Sequence, residues 1–362
     1  MKGDVGAVAQ LLRSGVGKVF PAASLSFGRS RDPKTLVVGD AAADTWFDIA
    51  SLTKALATTL LVMKLCDMNR LSLDEDILPG ASLAQLLSHS AGFPACFPPL
   101  WADSQGLLAA PSAQTRQAVI DAVWSTPRQP AQQRSLYSDL GFIALGTIVE
   151  ERGEGRLDEL FAQYLEPLGL ALGFRPLDRT VPLPASQCAP TRRESPHREE
   201  LRGIVHDDTA RAMLGVAGHA GLFATSAAVY GLAQALLDCY HDMGSAAARA
   251  LSLRSATVRR FFALPGLPGL QSTWGLGFDH PDPHRPGSSS TSSAGSLWSR
   301  QGVGHLGFTG CSLWLDPQTR LTAVLLSNRV WIDTNPAAEA TKAALRTLRP
   351  ALHDAIVSAV VG

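Results

Sequence analysis

The tetrad Ser51-Leu52-Thr53-Lys54 stands at the start of a long uncharged run and constrains the fold more than any other feature. It follows the largely apolar stretch 45–50, and the nine residues 55–63 carry no charge. Such a run, without a polar face, predicts a helix that is buried nearly all round. Because residues three apart share a helix face, Ser51 and Lys54 are expected side by side at its first turn.

This pairing predicts a nucleophile beside its base. Burial and the positive end of the helix dipole both disfavour a charged amine, so we expect Lys54 to be neutral and able to take the proton of Ser51. The tetrad alone is a weak signal, because short motifs recur by chance. The structural alternative is a buried helix with Ser51 as a plain N-cap.

A second motif, Tyr137-Ser138-Asp139, precedes the apolar run 140–146. The run predicts another buried helix, and Tyr137 would lie on the loop that enters it. A tyrosine directed at the serine–lysine pair could act as a phenolate base or as a proton relay. The structural alternative is a tyrosine whose ring is part of the core and whose hydroxyl binds a backbone group.

A third motif, at residues 304–310, reads Gly-His-Leu-Gly-Phe-Thr-Gly and precedes the strand-like run 311–315. Glycines beside a strand let a ligand approach the backbone closely. An edge strand that lines an acyl-transfer site needs this property. The alternative is a glycine-rich turn between two strands.

Together, and in this order, the three motifs resemble those of the penicillin-recognising serine hydrolases, which comprise class C β-lactamases, D-alanyl-D-alanine peptidases and β-lactamase-like esterases. The resemblance covers nearly the whole chain, and the stretches 71–76 and 87–94 also fit it. It implies an acyl-enzyme on Ser51, with Lys54 and Tyr137 moving the proton. It further implies that the backbone N–H groups of Ser51 and Phe308 hold the oxyanion.

Substrate binding, or orientation of the reacting groups, is expected of Asp139, His305, Gly307, Phe308 and His219. Two departures from the family pattern bear on the substrate. Asp139 stands where many members carry asparagine, and Leu306 stands where most β-lactamases and peptidases have a hydroxyl that helps to hold a carboxylate. Leu306 has no hydrogen-bonding side chain, so neutral esters or amides are expected to be better substrates than β-lactams.

Competing motifs fail their context tests. Residues 302–307 match G-x-G-x-x-G, but no clear strand precedes them and a strand follows, which argues against a dinucleotide site. No G-x-S-x-G elbow occurs, which argues against an α/β-hydrolase. Residues 206–208 and His219 lack metal-ligand spacing, so we expect no metal and no other cofactor. They cap loops or line the rim of the cleft, and residues 205–208 with 215–223 resemble a branch that includes cell-wall amidases.

Composition favours a soluble enzyme without affinity for nucleic acid or membranes. The 32 Lys and Arg residues balance 32 Asp and Glu residues, and the formal net charge is 0. No apolar run is long enough to span a bilayer. The stretch 5–13 predicts an amphipathic helix rather than a signal peptide, and five widely spaced cysteines indicate a reducing compartment, the cytoplasm. Oligomeric state is not predicted.

The order of elements predicts an α/β (α+β) fold of the β-lactamase/transpeptidase type, in which helices flank an antiparallel sheet and a mostly helical domain is added. Residues 1–68 and 214–362 would form the sheet domain and 69–213 the helical domain, with Ser51 in the cleft between them. A last helix at 337–360, broken or kinked at Pro350, and a flexible loop at 281–296 are expected. Strands are predicted at 19–27, 35–38, 304–309, 312–316 and 321–326.

The sequence thus predicts a serine hydrolase that acts on an amide or ester through Ser51, either on a peptidoglycan-derived fragment or on a small ester. A carboxylesterase with no cell-wall role and a weak β-lactamase are alternatives that use the same machinery. A third alternative is a binding or sensor protein that is acylated once and does not turn over. In each case the partner is a small molecule.

Overall fold

A computed structural model of the chain describes residues 4–98, 101–130, 134–192, 199–264, 266–282, 292–332 and 337–362. The strands are β1 (Ala22–Gly28), β2 (Lys34–Gly39), β3 (Phe47–Asp48), β4 (Asp76–Leu78), β5 (Ala81–Ser82), β6 (Leu172–Phe174), β7 (Thr191–Arg192), β8 (Glu200–Leu201), β9 (Leu222–Ala224), β10 (Val303–Leu306), β11 (Ser312–Leu315) and β12 (Thr322–Ser327). The expected loop at 281–296 lies largely outside these residues.

The α-helices are α1 (Val5–Ser14), α2 (Leu60–Asp67), α3 (Leu83–Leu87), α4 (Trp101–Ser104), α5 (Ala113–Ser125), α6 (Asp139–Gly153), α7 (Leu157–Leu165), α8 (Asp208–Ala212), α9 (Ser226–Tyr240), α10 (Ala246–Leu251), α11 (Ser255–Phe261) and α12 (Ala337–Val360). A π-helix at Lys54–Thr59 leads into α2, and 3₁₀ turns lie at Glu166–Leu168, Ala185–Gln187 and Arg329–Ile332. Within the described part of the chain, no helix is long and apolar enough to cross a membrane.

The main sheet has five antiparallel strands in the order β10-β11-β12-β1-β2, so strands from both ends of the chain form one sheet, as predicted. The predicted antiparallel sheet is confirmed. Strand β1 begins at Ala22 rather than at Val19, because Pro21 has no N–H to donate to a ladder. Strand β10 ends at Leu306, where the Gly307 N–H turns to the Cys311 carbonyl at 2.8 Å.

Helices cover both faces of this sheet. On one face α1 and α12 pack together over a cluster that includes Val8, Trp314 and Leu352. On the other face α9 packs against β12 and β1. The expected break at Pro350 is absent and α12 continues through it, because residues on both sides of the proline, among them Leu348 and Leu352, are anchored in the same cluster.

A second apolar core joins the helix after Ser51 to the middle of the chain. Helix α6 is its centre and packs against α2, α3, α5 and α7. A small sheet has its strands in the order β3-β9-β6. It joins residues 47–48, just before Ser51, to the strands at 222–224 and 172–174. The division of the chain into a sheet domain and a helical domain at 69–213 stays a prediction.

Candidate active site

Ser51 follows a backbone turn that a buried carboxylate holds in place. Ala50 adopts a positive φ of 48°, which side-chain-bearing residues rarely occupy. One oxygen of Asp48 accepts from the Ala50 N–H at 2.8 Å, and the other accepts from the His206 N–H at 2.7 Å. Burial raises the pKa of Asp48, and these two hydrogen bonds act against that rise. Asp48 thereby fixes the turn before Ser51 beside residues 206–207.

The lysine of the tetrad lies directly beside the serine. Lys54 is fully buried, and its Nζ lies 2.9 Å from Ser51 Oγ, 2.7 Å from Asp139 Oδ1 and 3.2 Å from the His219 carbonyl oxygen. The carboxylate and the carbonyl can only accept, so the lysine donates to both. The serine hydroxyl can accept or donate, so this third contact is where a proton can change hands.

The helix after Ser51 opens as a π-helix over Lys54–Thr59, where the sequence predicted an ordinary helix. Two buried side chains of this π-helix donate hydrogen bonds to another segment of the chain. Lys54 donates to the His219 carbonyl, and the Thr58 hydroxyl donates to the Gly218 carbonyl at 2.7 Å. π-turns inside helices are found mostly at functional sites.

The prediction that Lys54 is neutral left out a neighbouring carboxylate, and the direction of its pKa shift goes against it. Burial lowers the pKa of Lys54, but the Asp139 carboxylate and Tyr137 outweigh that effect and leave the pKa raised. The side chain of Asp139 is about a quarter exposed and forms a direct ion pair with the buried amine. Reasoning from burial and the helix dipole missed this effect, because Asp139 lies 85 residues from Lys54 in the chain.

Tyr137 lies against the same amine, on the loop that enters α6. Lys54 Nζ is 4.8 Å from the centre of the Tyr137 ring. Burial raises the pKa of Tyr137 and Asp139 adds to the rise, whereas the field of Lys54 opposes it. Ser138 fixes the loop, because its hydroxyl accepts from the Gly141 N–H and donates to the Pro94 carbonyl. The residues of the first two motifs are therefore in mutual contact.

An aromatic cluster surrounds Tyr137 and includes two residues that sequence reasoning missed as site residues. The ring centres of His89 and Trp274 lie 4.7 and 5.3 Å from that of Tyr137, and His305 lies 6.0 Å from it. His89 also accepts from the Ser138 N–H at 3.0 Å. His89 belongs to the stretch 87–94 that resembles the family, so the sequence could have indicated it as a site residue. Nothing in the sequence around Trp274 indicates a role in the site.

The edge strand β10 forms the opposite wall and carries no charge. Burial, assisted by the field of Lys54, lowers the pKa of His305 to about 3, so its ring is neutral. Its Nδ1 lies 2.8 Å from the Leu306 carbonyl oxygen, which places the ring proton there. Gly307 passes close beneath the serine turn: a Cβ at this position would lie 2.7 Å from the Ile49 carbonyl oxygen. Only glycine allows this approach.

Two backbone donors near the serine remain available. Among the residues that the structure describes, neither the Ser51 N–H nor the Phe308 N–H has an acceptor. The Phe308 ring is 44% exposed and stacks on His206 at 5.8 Å. Such donors can stabilise an oxyanion if they converge on it.

His219 approaches the cluster through its backbone rather than its ring. Its carbonyl accepts from Lys54, while its Nε2 lies 2.9 Å from Asp207 Oδ1. The same Asp207 oxygen accepts from the Ala210 N–H and so caps α8. Burial raises the pKa of Asp207. His219, the Ala210 N–H and Lys54 outweigh that effect and together hold this pKa far below its usual range. The structure describes no group of three or more His, Cys, Asp or Glu residues that could hold a metal ion.

Comparisons with known proteins found a family model and relatives that match most of the chain. The family model described as "Beta-lactamase" matches residues 8–347. A relative from Escherichia coli (strain K12), named "Putative D-alanyl-D-alanine carboxypeptidase", is 29% identical over 322 residues, which cover 79% of this chain and 69% of the relative. A relative of the same name from Salmonella gallinarum is 27% identical over 337 residues, covering 84% of this chain and 74% of that protein.

Solved structures share the predicted α/β fold of the β-lactamase/transpeptidase type, which is confirmed. EstCE1, described as a hydrolase with promiscuous acyltransferase activity, has a TM-score of 0.70 at 18% identity, covering 96% of this chain and 98% of its own. A β-lactamase from Mycobacterium bovis has a TM-score of 0.59 at 21% identity, with 96% and 98% coverage. At these identities the likeness shows the fold alone, whereas the family model covers nearly the whole chain. The chain belongs to the beta-lactamase family of serine hydrolases.

Proposed function

We propose that the protein cleaves an ester or amide bond through a covalent acyl-enzyme on Ser51. The observation that carries this proposal is the 2.9 Å contact between Lys54 Nζ and Ser51 Oγ inside a buried cluster. A serine hydroxyl becomes a nucleophile only when a group beside it can take its proton. Lys54 and Tyr137 are the groups within reach, and they form the general base once the pair has lost one proton.

The reaction then follows in two halves. Ser51 Oγ attacks the carbonyl carbon, and its proton passes to the Lys54–Tyr137 pair while the Ser51 and Phe308 N–H groups stabilise the oxyanion. Tyr137 gives the proton to the departing oxygen or nitrogen as the bond to the carbonyl carbon breaks. The same pair then removes a proton from a water molecule, whose oxygen attacks the ester carbonyl. The pair returns that proton to Ser51 Oγ as the bond between Oγ and the carbonyl carbon breaks, which releases the acid and free Ser51.

The two walls of the cleft bear on the substrate. A carboxylate next to Leu306 and the neutral His305 would lose its water without gaining a donor, which is costly. We therefore propose small esters, or peptidoglycan-derived amides without a carboxylate at the reacting end, in preference to β-lactams and to substrates that end in a D-alanyl carboxylate. The names of the bacterial relatives support a peptidoglycan connection, and Asp139, Gly307 and His219 are proposed to orient the reacting groups.

The compartment and partners belong to the same proposal. All five cysteines are free thiols, which supports a reducing compartment and hence a cytoplasmic protein that meets imported wall fragments rather than intact wall. The formal net charge of 0 supports a small-molecule substrate rather than nucleic acid.

The test is covalent labelling with a fluorophosphonate probe. Intact-protein mass is expected to rise by one adduct, and peptide mapping should place that adduct on Ser51. The matched control is Ser51→Ala, which removes one oxygen and should abolish labelling without changing the fold. Labelling that survives in the Ser51→Ala protein would overturn the proposal.

A substrate panel of p-nitrophenyl esters, nitrocefin and muropeptides then separates the alternatives. Steady turnover that is lost in Ser51→Ala supports the hydrolase. A burst of one equivalent of product followed by no turnover indicates instead a sensor that is acylated once.

A further inference from the structure

The ion pair at the nucleophile has two possible charge states, and the geometry is compatible with both. Asp139 Oδ1 and the His219 carbonyl accept N–H groups from Lys54 at 2.7 and 3.2 Å in either state. An ammonium group would donate its third N–H to Ser51 Oγ at 2.9 Å. A neutral amine would instead accept the Ser51 proton along the same line. Only the direction of the Ser51 contact distinguishes the resting form from the reactive form.

Several titratable groups surround this amine, and they act unequally. His89 and His305, which lie across the Tyr137 ring, are neutral, because burial holds the pKa of each far below its usual value. Asp207 is anionic, but it is bound to the His219 ring and to the first turn of α8. Asp139 is the carboxylate in direct contact with the amine.

Asp139 opposes the loss of a proton from both partners of Ser51. Its charge raises the pKa of Lys54 and also that of Tyr137. Burial alone would have lowered the pKa of Lys54, as it does for lysines in apolar surroundings. An uncharged side chain at residue 139 would therefore leave a buried amine that gives up its proton readily.

We infer that Asp139 holds Lys54 as an ammonium ion in the resting enzyme, so that acylation of Ser51 requires removal of a proton against the field of this carboxylate. The inference rests on the proposed function, in which the Lys54–Tyr137 pair is the base. Asp139 acts through Lys54 and Tyr137 and is a positioning residue. Because the active form has one proton fewer than the resting form, acylation becomes faster as pH rises, and it reaches its plateau only under alkaline conditions.

The experiment measures the second-order rate of fluorophosphonate labelling of Ser51 between about pH 6 and pH 10, in the wild type and in Asp139→Asn. Each rate at low pH is divided by the rate of the same protein at high pH, so that a lower plateau does not affect the comparison. An opposite charge at this distance shifts a pKa by about 1–3 units. The rising limb of Asp139→Asn is therefore expected about 1–3 pH units lower, and its low-to-high ratio at least about tenfold greater.

Two control variants separate charge from shape. Asp139→Glu keeps the charge and is expected to keep the alkaline limb. Asp121→Asn removes an exposed carboxylate from α5 that accepts from Gln117, and it is expected to leave the whole profile unchanged. A shift of the limb in Asp121→Asn would mean that general surface charge, rather than Asp139, sets the profile.

The results distinguish this inference from the function on which it rests. If Ser51 is labelled and the labelling rate rises over the same pH range in Asp139→Asn and in the wild type, the inference is overturned. The proposed function then remains intact. Absence of labelling in all variants counts against the proposed function itself. The wild-type profile is a test that needs no variant, because a plateau already reached below neutral pH contradicts a lysine held as an ammonium ion.

Discussion

Two sides of the candidate site, named the helix wall and the strand wall, differ in charge. The helix wall, formed by Ser51, Lys54 and Asp139, concentrates charge: a fully buried amine is paired with a carboxylate 2.7 Å away. The strand wall, residues 305–308, carries none, since His305 is neutral and Leu306 is apolar. In the proposed function, proton transfer depends on the first wall and recognition of the substrate on the second.

The two walls also differ in how many contacts hold their side chains in place. Lys54 has three oxygen partners, supplied by α6, by the turn before β9 and by its own helix, so any change there disturbs several groups. Leu306 is at the end of an edge strand and is only partly buried, so its side chain can change with little cost to the fold. The helix wall should therefore be intolerant of substitution and the strand wall permissive.

The largest effect is expected from Lys54→Met, which keeps the length of the side chain and removes its charge. The serine then loses its nearest proton acceptor, and kcat/KM for p-nitrophenyl butyrate should fall by about 10³-fold, within the range for loss of acid–base catalysis. The measurement is steady-state hydrolysis together with the labelling rate of Ser51.

Thermal unfolding provides the control for this variant. Lys54→Met leaves Asp139 without its ion-pair partner, which is destabilising, and adding Asp139→Asn should restore part of the loss. Activity close to wild type in a folded Lys54→Met protein would show that the charged wall has no part in catalysis.

A smaller effect is expected from Tyr137→Phe, which removes one hydroxyl and keeps the ring. Turnover should fall by at least about 10²-fold because the relay to the leaving group is lost. The melting temperature should change little, since the ring keeps its contacts with His89 and Trp274. Nearly full activity would assign Tyr137 to the aromatic cluster alone.

The smallest effect is expected on the strand wall. Leu306→Thr supplies a hydroxyl to a substrate carboxylate and should raise the ratio of kcat/KM for nitrocefin to that for p-nitrophenyl butyrate by about tenfold. Leu306→Val is the matched control, because valine has the shape of threonine without the hydroxyl. A wild-type protein that already prefers nitrocefin, or an equal change in both variants, would mean that the carboxylate is held elsewhere.

Local patterns predicted the main elements of the fold. Alternating and apolar runs with short turns between them identified the strands of the main sheet, and its antiparallel pairing followed from those turns. Errors in the bounds arose where a single residue decided the matter, as at Pro21. The long last helix was expected to break at Pro350, but packing on both sides of the proline overrode the local preference.

The site was harder to predict, because its properties depend on contacts between distant parts of the chain. The motifs predicted Ser51, Lys54 and Tyr137, which the structure brings together, but not the charge of Lys54, which depends on a carboxylate contributed by α6. Asp48 was passed over for the same reason, since its role is visible only when residues 50 and 206 lie on either side of it. Trp274 lies in an irregular segment that no periodicity describes.

The central place of β1 beside β12 has a consequence for how the protein is made. Ala23 lies opposite Ser327, so the ribosome must synthesise most of the chain before β1 can meet its second partner. Until then one edge of the hairpin formed by β1 and β2 offers unpaired backbone groups to any strand nearby. Pairings this distant also form slowly, because the long intervening chain must be ordered first. We therefore expect protection of that edge during translation to raise the share of newly made chain that reaches the folded state.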